Sequence, residues 1–276
     1  MNADWVLPRA PAGRSSLFSS LEQRHSLWWR AALAFAVLMI ACALLSLLDE
    51  RTLNGVSVWS KPFKFSLSIA VYFATLAWFA PLLPNGYLEA RKGRWLTMAP
   101  VVCAVFEMFY IIVQASRGQA SHFNFTTPFY SVMYSLMGAG AIALVSICLW
   151  MGVVILRNRD VDSPYALAVG LGLVLTFLLG GGFGGYLGGH MSHWVGGTSS
   201  DANGIWLMKW SRDGGDLRVA HFFGMHAMQA LPMIAALLPN AMPRRAAIGI
   251  VIGAASLYAA GTTFTFVQAL NGTPFI

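Results

Sequence analysis

Residues 27–48 read LWWRAALAFAVLMIACALLSLL and contain a single charged side chain, Arg30. This run matches the ~20 mostly apolar residues that a helix needs to cross a bilayer. Further runs of the same character lie at about 64–83, 95–116, 129–155, 164–189, 218–238 and 246–269. The sequence therefore predicts an all-α, polytopic membrane protein with about seven transmembrane helices. Residues 27–276 form its single transmembrane domain, and residues 1–26 form an N-terminal segment.

The composition excludes other classes of protein. Hydrophobic residues make up 57% of the chain, charged residues make up 11%, and the mean hydropathy is +0.61. A soluble domain carries roughly 25% charged residues, so this chain is neither a water-soluble globule nor a disordered segment. The net charge of +7 does not indicate nucleic-acid binding, because a basic excess in a membrane protein usually reflects topology. The lipid bilayer is the expected partner.

The distribution of basic residues predicts the orientation. The N-terminal segment, Arg30 at the start of the first span, and the loops near 91–94, 157–162 and 239–245 together hold 11 of the 18 lysines and arginines. By the positive-inside rule, these segments face the cytoplasm. We therefore expect a cytoplasmic N-terminus, an external C-terminus and a cell membrane of the bacterial inner-membrane type.

Histidines collect at the predicted outer face, and four of them are candidate metal ligands. These are His122, His190, His221 and His226. His221 and His226 are five residues apart on the sixth predicted span, which puts them about 140° apart around a helix. They are therefore expected to have different roles or to bind opposite sides of one larger object. Gln229 shares the face of His226.

The third predicted span carries a polar stripe around Glu107. Cys103, Tyr110, Gln114 and Arg117 recur with it at helical spacing. An ionisable residue near mid-membrane costs about 2.5–3.5 kcal/mol on insertion scales and indicates function. Glu107 is therefore the candidate catalytic residue, in a proton relay or a substrate pocket. A neutral carboxyl group that bonds to another helix is the alternative.

Cations at the outer ends of the spans are candidates for binding a cofactor or an anion. Lys64, Arg117 and Arg218 could together hold a propionate, a carboxylate or a phosphate, with Gln229 as a further binding residue. Snorkelling of these side chains to lipid headgroups is the alternative. Asp216 precedes the sixth span and is predicted to cap its helix.

Two glycine stripes mark the end of the fifth span. Gly180, Gly184 and Gly188 form one stripe, and Gly181, Gly185 and Gly189 form the other. Spacing by four lets a neighbouring helix backbone approach closely, and a bare helix face can also receive a flat cofactor.

The loop at 195–217 has two interpretations. Its segment 205–210 is amphipathic, and a helix there would form a lid over His190 and His221. A structured loop without a helix is equally compatible with the sequence.

Three functions remain open at this stage. The first is a redox-related protein that binds haem b, copper or iron through the outer histidines. The second is a zinc-dependent lipid hydrolase that uses the same histidines. The third is a metal-free transporter or binder of a quinone, a lipid or another small anionic amphiphile.

Overall fold

The computed structural model describes residues 17–276, so residues 1–16 of the predicted segment 1–26 lie outside the described range. The helices are α1 (Leu17–Arg24), α2 (Ser26–Leu48), α3 (Ser60–Phe79), α4 (Arg91–Ser116), α5 (Pro128–Arg157), α6 (Pro164–Leu175), α7 (Gly182–His190), α8 (Leu217–Ala236) and α9 (Arg244–Leu270). Short 3-10 helices lie at Ala80–Leu82 and Arg159–Val161, and a π-helical turn at Thr176–Gly181 joins α6 to α7. Two antiparallel pairs of very short strands complete the fold. They are β1 (Thr52–Leu53) with β2 (Val56–Ser57), and β3 (Trp194–Val195) with β4 (Gly215–Asp216).

The helices confirm a multi-pass helical membrane protein. Within residues 17–276, six segments are long and apolar enough to cross a bilayer. They are Ser26–Leu48, Ser60–Leu82, Arg91–Ser116, Pro128–Arg157, Pro164–His190 and Arg244–Leu270. They coincide with six of the seven predicted spans.

Helix α8 corresponds to the remaining predicted span, and it is less apolar than the others. Its 20 residues would extend about 30 Å, which is the thickness of the hydrocarbon core. Arg218, His221, His226 and Gln229 lower its apolar character. The seventh crossing and the orientation of the termini therefore stay predictions.

Helix α8 lies inside the bundle, where it packs against α6, the π turn, α7 and α9. Helix α3 belongs to the other side of the bundle and packs mainly on α2. Asp216 caps α8 as predicted, since its side chain accepts a hydrogen bond from the backbone N–H of Arg218.

The first glycine stripe is used for helix packing. A Cβ atom on Gly180 would lie 2.8 Å from Sδ of Met225, and one on Gly184 would lie 2.7 Å from the ring of His221. The second stripe is more open, because a Cβ atom on Gly185 or Gly189 would meet nothing within 4 Å. Helix α8 therefore occupies the bare face of Gly180 and Gly184, and that face is not free for a flat cofactor.

Residues 191–216 form a folded loop, which we call the cap. Leu217 donates its backbone N–H to the carbonyl oxygen of His193 at 2.9 Å, and β3 pairs with β4. The predicted alternative of a helix at 205–210 is wrong, because this segment consists of turns closed by a bridge between Ile205 and Trp210. Trp206 is 82% exposed, whereas Trp210 is 8% exposed. The two tryptophans therefore do not share one helical face.

Candidate functional site

Arg218 ties the cap to the first turn of α8. Its Nη2 donates to Oδ2 of Asp216 at 2.6 Å, to Oδ1 of Asp201 at 2.8 Å and to the carbonyl oxygen of Lys209 at 2.7 Å. Both carboxylates are buried. Nε and Nη2 of Arg218 are therefore engaged by the cap, whereas Nη1 makes no hydrogen bond among residues 17–276.

His193 extends this ion network. Its Nε2 lies 3.4 Å from Oδ1 of Asp201. Burial lowers the pKa of His193 below its ordinary value. Burial alone would raise the pKa of Asp201, but the hydrogen bond from His193 and the charge of Arg218 hold it below its usual range. The network therefore has a neutral histidine beside an ionised carboxylate at neutral pH.

Two lysines of α3 lie beneath the cap. Nζ of Lys64 donates to the carbonyl oxygen of Met208 at 3.4 Å, and Nζ of Lys61 lies 5.6 Å from the ring centre of Phe65. The two ammonium groups are close enough to repel each other, and the positive charge of Arg218 repels both of them. Within residues 17–276, Lys61 makes no hydrogen bond or ion pair.

The three cations that were predicted to bind an anion together do not lie in one place; they are Lys64, Arg117 and Arg218. Arg117 follows α4 and is exposed, whereas Arg218 is engaged by the cap. Lys61, and not Arg117, lies beside Lys64. The sequence contains a signal for this, because Lys61 and Phe65 share one face of α3 with Ser68.

Glu107 is buried at 6% exposure in the middle of α4. Among residues 17–276 its carboxyl group forms no hydrogen bond and no ion pair. Lys61 supplies the nearby opposite charge without contacting it. The predicted alternative, a carboxyl group bonded to a neighbouring helix, is therefore not what the described residues show. Gln114 lies two turns along the same face, and its buried Oε1 has no hydrogen-bond partner in the described part of the chain.

His122 lies in the loop between α4 and α5, near the two lysines. Its ring contacts the edges of Phe65 and Tyr134, with ring centres 5.7 and 6.0 Å away, and its Nδ1 lies 3.2 Å from Oγ of Ser121. Burial and the charge of Lys61 lower the pKa of His122 well below its usual value. His122 is therefore a neutral group beside Lys61.

The other three histidines have separate partners. Nδ1 of His221 bonds to the carbonyl oxygen of Gly180 at 2.9 Å, and Nδ1 of His226 bonds to Oε1 of Gln229 at 3.2 Å. His190 is exposed and stacks on Tyr186. Six residues separate His190 from Gly184, which puts them about 120° apart around α7. His190 therefore does not share the α7 face that His221 packs against.

These positions do not fit the predicted metal or haem site. Within residues 17–276, three His, Cys, Asp or Glu side chains are nowhere grouped so that they could hold a metal ion. A haem held by both His190 and His221 would need the two rings to face one common space, but the ring of His221 fills the bare face of Gly184 and His190 stacks on Tyr186. Haem or metal binding stays a prediction that this arrangement does not favour.

Gln229 connects α8 to α3. Its Nε2 donates to Oγ1 of Thr75 at 3.0 Å, and its Oε1 bonds to His226. Thr75 was not selected from the sequence, although it continues the α3 face of Lys61, Phe65 and Ser68. Thr75 therefore links this face of α3 to α8.

Comparisons with protein-family models, characterised proteins and solved structures find no match to this chain. The geometry of the described residues is therefore the basis for a functional assignment.

Proposed function

We propose that this protein is a metal-free binder or transporter of an anionic amphiphile. The head group lies between the ammonium groups of Lys61 and Lys64, beneath the cap. One observation carries the proposal. Two partly buried lysines lie one turn apart on α3, and among residues 17–276 they make a single hydrogen bond, from Lys64 to the carbonyl oxygen of Met208.

The charges around the lysines support an anionic ligand. Asp201 and Asp216 attract Lys64 from the cap, but both carboxylates already bind Arg218. Glu107 attracts Lys61 without contacting it. An ammonium group offers three N–H donors, so several donors remain free for oxygen atoms of a carboxylate, a sulfonate or a phosphate. A bound anion would also relieve the repulsion between the two lysines.

The position of the lysines supports a ligand that has an apolar tail. Lys61 and Lys64 lie in the first turns of α3, which is long and apolar enough to cross the bilayer. Helix α3 packs mainly on α2, and α8 packs on α6 and α9. The hydrogen bond between Thr75 and Gln229 crosses the seam between these two groups of helices. We assign this seam to the alkyl chain.

Isothermal titration of protein in lipid nanodiscs tests the proposal. The probes are decanesulfonate and decyl phosphate, with decyl maltoside and decyltrimethylammonium as neutral and cationic counterparts. We expect the two anions to bind, and we expect Lys61→Met and Lys64→Met each to weaken them at least about tenfold, a loss of ~1.4 kcal/mol. Lys92→Met is the matched control, because Lys92 is an exposed lysine in the first turn of another membrane helix, α4.

Three outcomes would contradict the proposal. The first is equal binding of the cationic and anionic probes, and the second is unchanged binding in both lysine variants. The third is a Soret band, or one metal ion per chain, that disappears in His221→Ala. That result would favour the predicted redox or zinc site instead.

A further inference from the structure

Glu107 depends on one counter-charge. It is 6% exposed, and among residues 17–276 its carboxyl group receives no hydrogen bond. The titratable groups near it are Lys61 from α3, and Cys103 and Tyr110, each about one turn away on α4. His122 lies beyond Lys61, in the loop that follows α4.

In the described part of the chain, the remaining helices packed on α4 bring no further charge near Glu107. Helices α2 and α5 also pack against α4. Their charged side chains, Arg30 and Arg157, lie at the ends that are remote from the cap. Among residues 17–276, Lys61 is therefore the one opposite charge that acts on Glu107.

A ligand anion competes for the same ammonium group. When an anion binds to Lys61, that charge no longer balances Glu107. A buried carboxylate without a counter-charge is strongly disfavoured in a low-dielectric interior, and the group responds by taking up a proton.

We propose that binding of an anionic head group at Lys61 is coupled to protonation of Glu107. This inference rests on the proposed function and adds the number of protons that are bound with each anion. A proton from the solvent forms an O–H bond on Glu107, Lys61 stays an ammonium ion, and the anion takes over the pairing with Lys61. The buried net charge is the same before and after binding. If the protein is a transporter, an anion and a proton enter together without net charge movement.

Counting protons during the titration tests the coupling. Decanesulfonate is the probe, because a sulfonate stays ionised at all relevant pH values and cannot exchange a proton itself. The binding enthalpy is measured in two buffers that have different ionisation enthalpies. The difference between the two binding enthalpies, divided by the difference between the ionisation enthalpies, gives the number of protons taken up. We expect about one proton per sulfonate and an affinity that rises up to about tenfold for each unit of falling pH.

Substitutions of Glu107 test whether its carboxyl group accepts the proton. Glu107→Gln should bind decanesulfonate without taking up a proton, and its affinity should no longer depend on pH. Glu107→Asp keeps a titrating group and should retain uptake, which separates loss of the proton site from loss of folding. In His122→Asn uptake should persist. If uptake is instead lost in that variant, His122 is the proton acceptor and the inference is wrong.

The outcomes separate this inference from the proposed function. Sulfonate binding that needs Lys61 but takes up no proton would leave the function standing and overturn the coupling. Absence of sulfonate binding to the wild-type protein would overturn both. Uptake that persists in Glu107→Gln would also overturn the coupling.

Discussion

Arg218 and Asp216 form a two-point contact at the junction of the cap and α8. Nε of the guanidinium donates to Oδ1 of the carboxylate at 2.9 Å, and Nη2 donates to Oδ2 at 2.6 Å. The same Asp216 oxygen that accepts from Nε also caps the helix through the backbone N–H of Arg218. One buried carboxylate thus fixes both the start of α8 and the path of the cap.

Substitution Arg218→Lys should destabilise the protein. A lysine keeps the positive charge but cannot reproduce the planar two-point geometry, and each lost hydrogen bond to a charged group contributes about 1.5–3 kcal/mol. We expect a lower melting temperature, which is measured by intrinsic tryptophan fluorescence. Arg212→Lys is the control, because Arg212 is an exposed arginine of the same cap. Equal melting temperatures for the two variants would show that the ion network does not stabilise the cap.

Substitution Gly184→Ala should disturb the packing of α7 on α8. The added methyl group would lie 2.7 Å from the ring of His221, so the helices must separate or the ring must move. Overpacking of this kind costs about 1–3 kcal/mol. Gly185→Ala should be close to neutral, because nothing lies within 4 Å of its Cβ position. Adding His221→Ala to Gly184→Ala should recover part of the loss. A melting temperature of Gly184→Ala equal to that of Gly185→Ala would be inconsistent with this contact.

Substitution Thr75→Val should weaken the link between α3 and α8. It removes the acceptor of Nε2 of Gln229, and side-chain hydrogen bonds between membrane helices contribute about 0.6 kcal/mol on average. The free energy of unfolding is measured in mixed micelles by titration with a denaturing detergent. Thr263→Val is the matched control, since Oγ1 of Thr263 bonds only within its own helix. The structure would be contradicted here if both variants lost the same stability.

The stability of the cap should decrease on acidification. Burial lowers the pKa of His193 below its ordinary value of 6.5, so the unfolded chain takes up a proton that the folded cap resists. The penalty is absent above pH 6.5 and grows as the pH falls below it. Asp201 does not contribute in this window, because its lowered pKa puts its effect below its ordinary value of 3.8.

Melting temperatures at about pH 7.5 and about pH 5.5 measure this effect. His193→Gln keeps a donor towards Asp201 without a titrating ring, and it should reduce the difference between the two pH values. His190→Gln changes an exposed histidine and should leave the difference unchanged. A pH dependence of His193→Gln that equals that of the wild type would exclude His193 as the cause.

Reporter fusions should establish whether α8 crosses the membrane. Alkaline phosphatase is active only outside the cytoplasm. We expect an active fusion after Ile276 and an inactive one after Asn240, in the loop between α8 and α9. An active fusion after Asn240 would mean that the basic residues do not set the orientation as predicted, or that α8 does not cross. A fusion within the cap distinguishes these two cases.

The sequence was sufficient for the features that depend on periodicity and apolar length. The runs of apolar residues correspond to the helices, Asp216 caps α8, and the glycines at 180 and 184 receive a neighbouring helix. The five-residue offset between His221 and His226 also placed them correctly on different sides of α8. One bonds to the π turn, and the other lies beside Gln229, which bonds to α3.

The sequence was not sufficient for contacts made by irregular backbone. Residues 191–216 have no helical or strand period, so nothing local indicated that Asp201 would reach Arg218, 17 positions away. The sequence prediction named Lys64 and not Lys61 for a related reason. Both lysines lie near the same end of α3. Their difference arises from the folded cap, because Lys64 bonds to Met208 whereas Lys61 makes no hydrogen bond among the described residues.

The π turn at Thr176–Gly181 changes the phase of the helix that continues from α6 into α7. A π turn holds one residue more than the α-helical turn that it replaces, so every later side chain is rotated by about 100° relative to an uninterrupted helix. If the same sequence ran as an uninterrupted α-helix, Gly184 would turn away from His221 and another side chain would enter that contact. Deleting one residue from the π turn, so that a regular α-helical turn replaces it, should therefore leave Gly184 facing His221. The π turn acts as an angular offset that lets the glycine face meet α8.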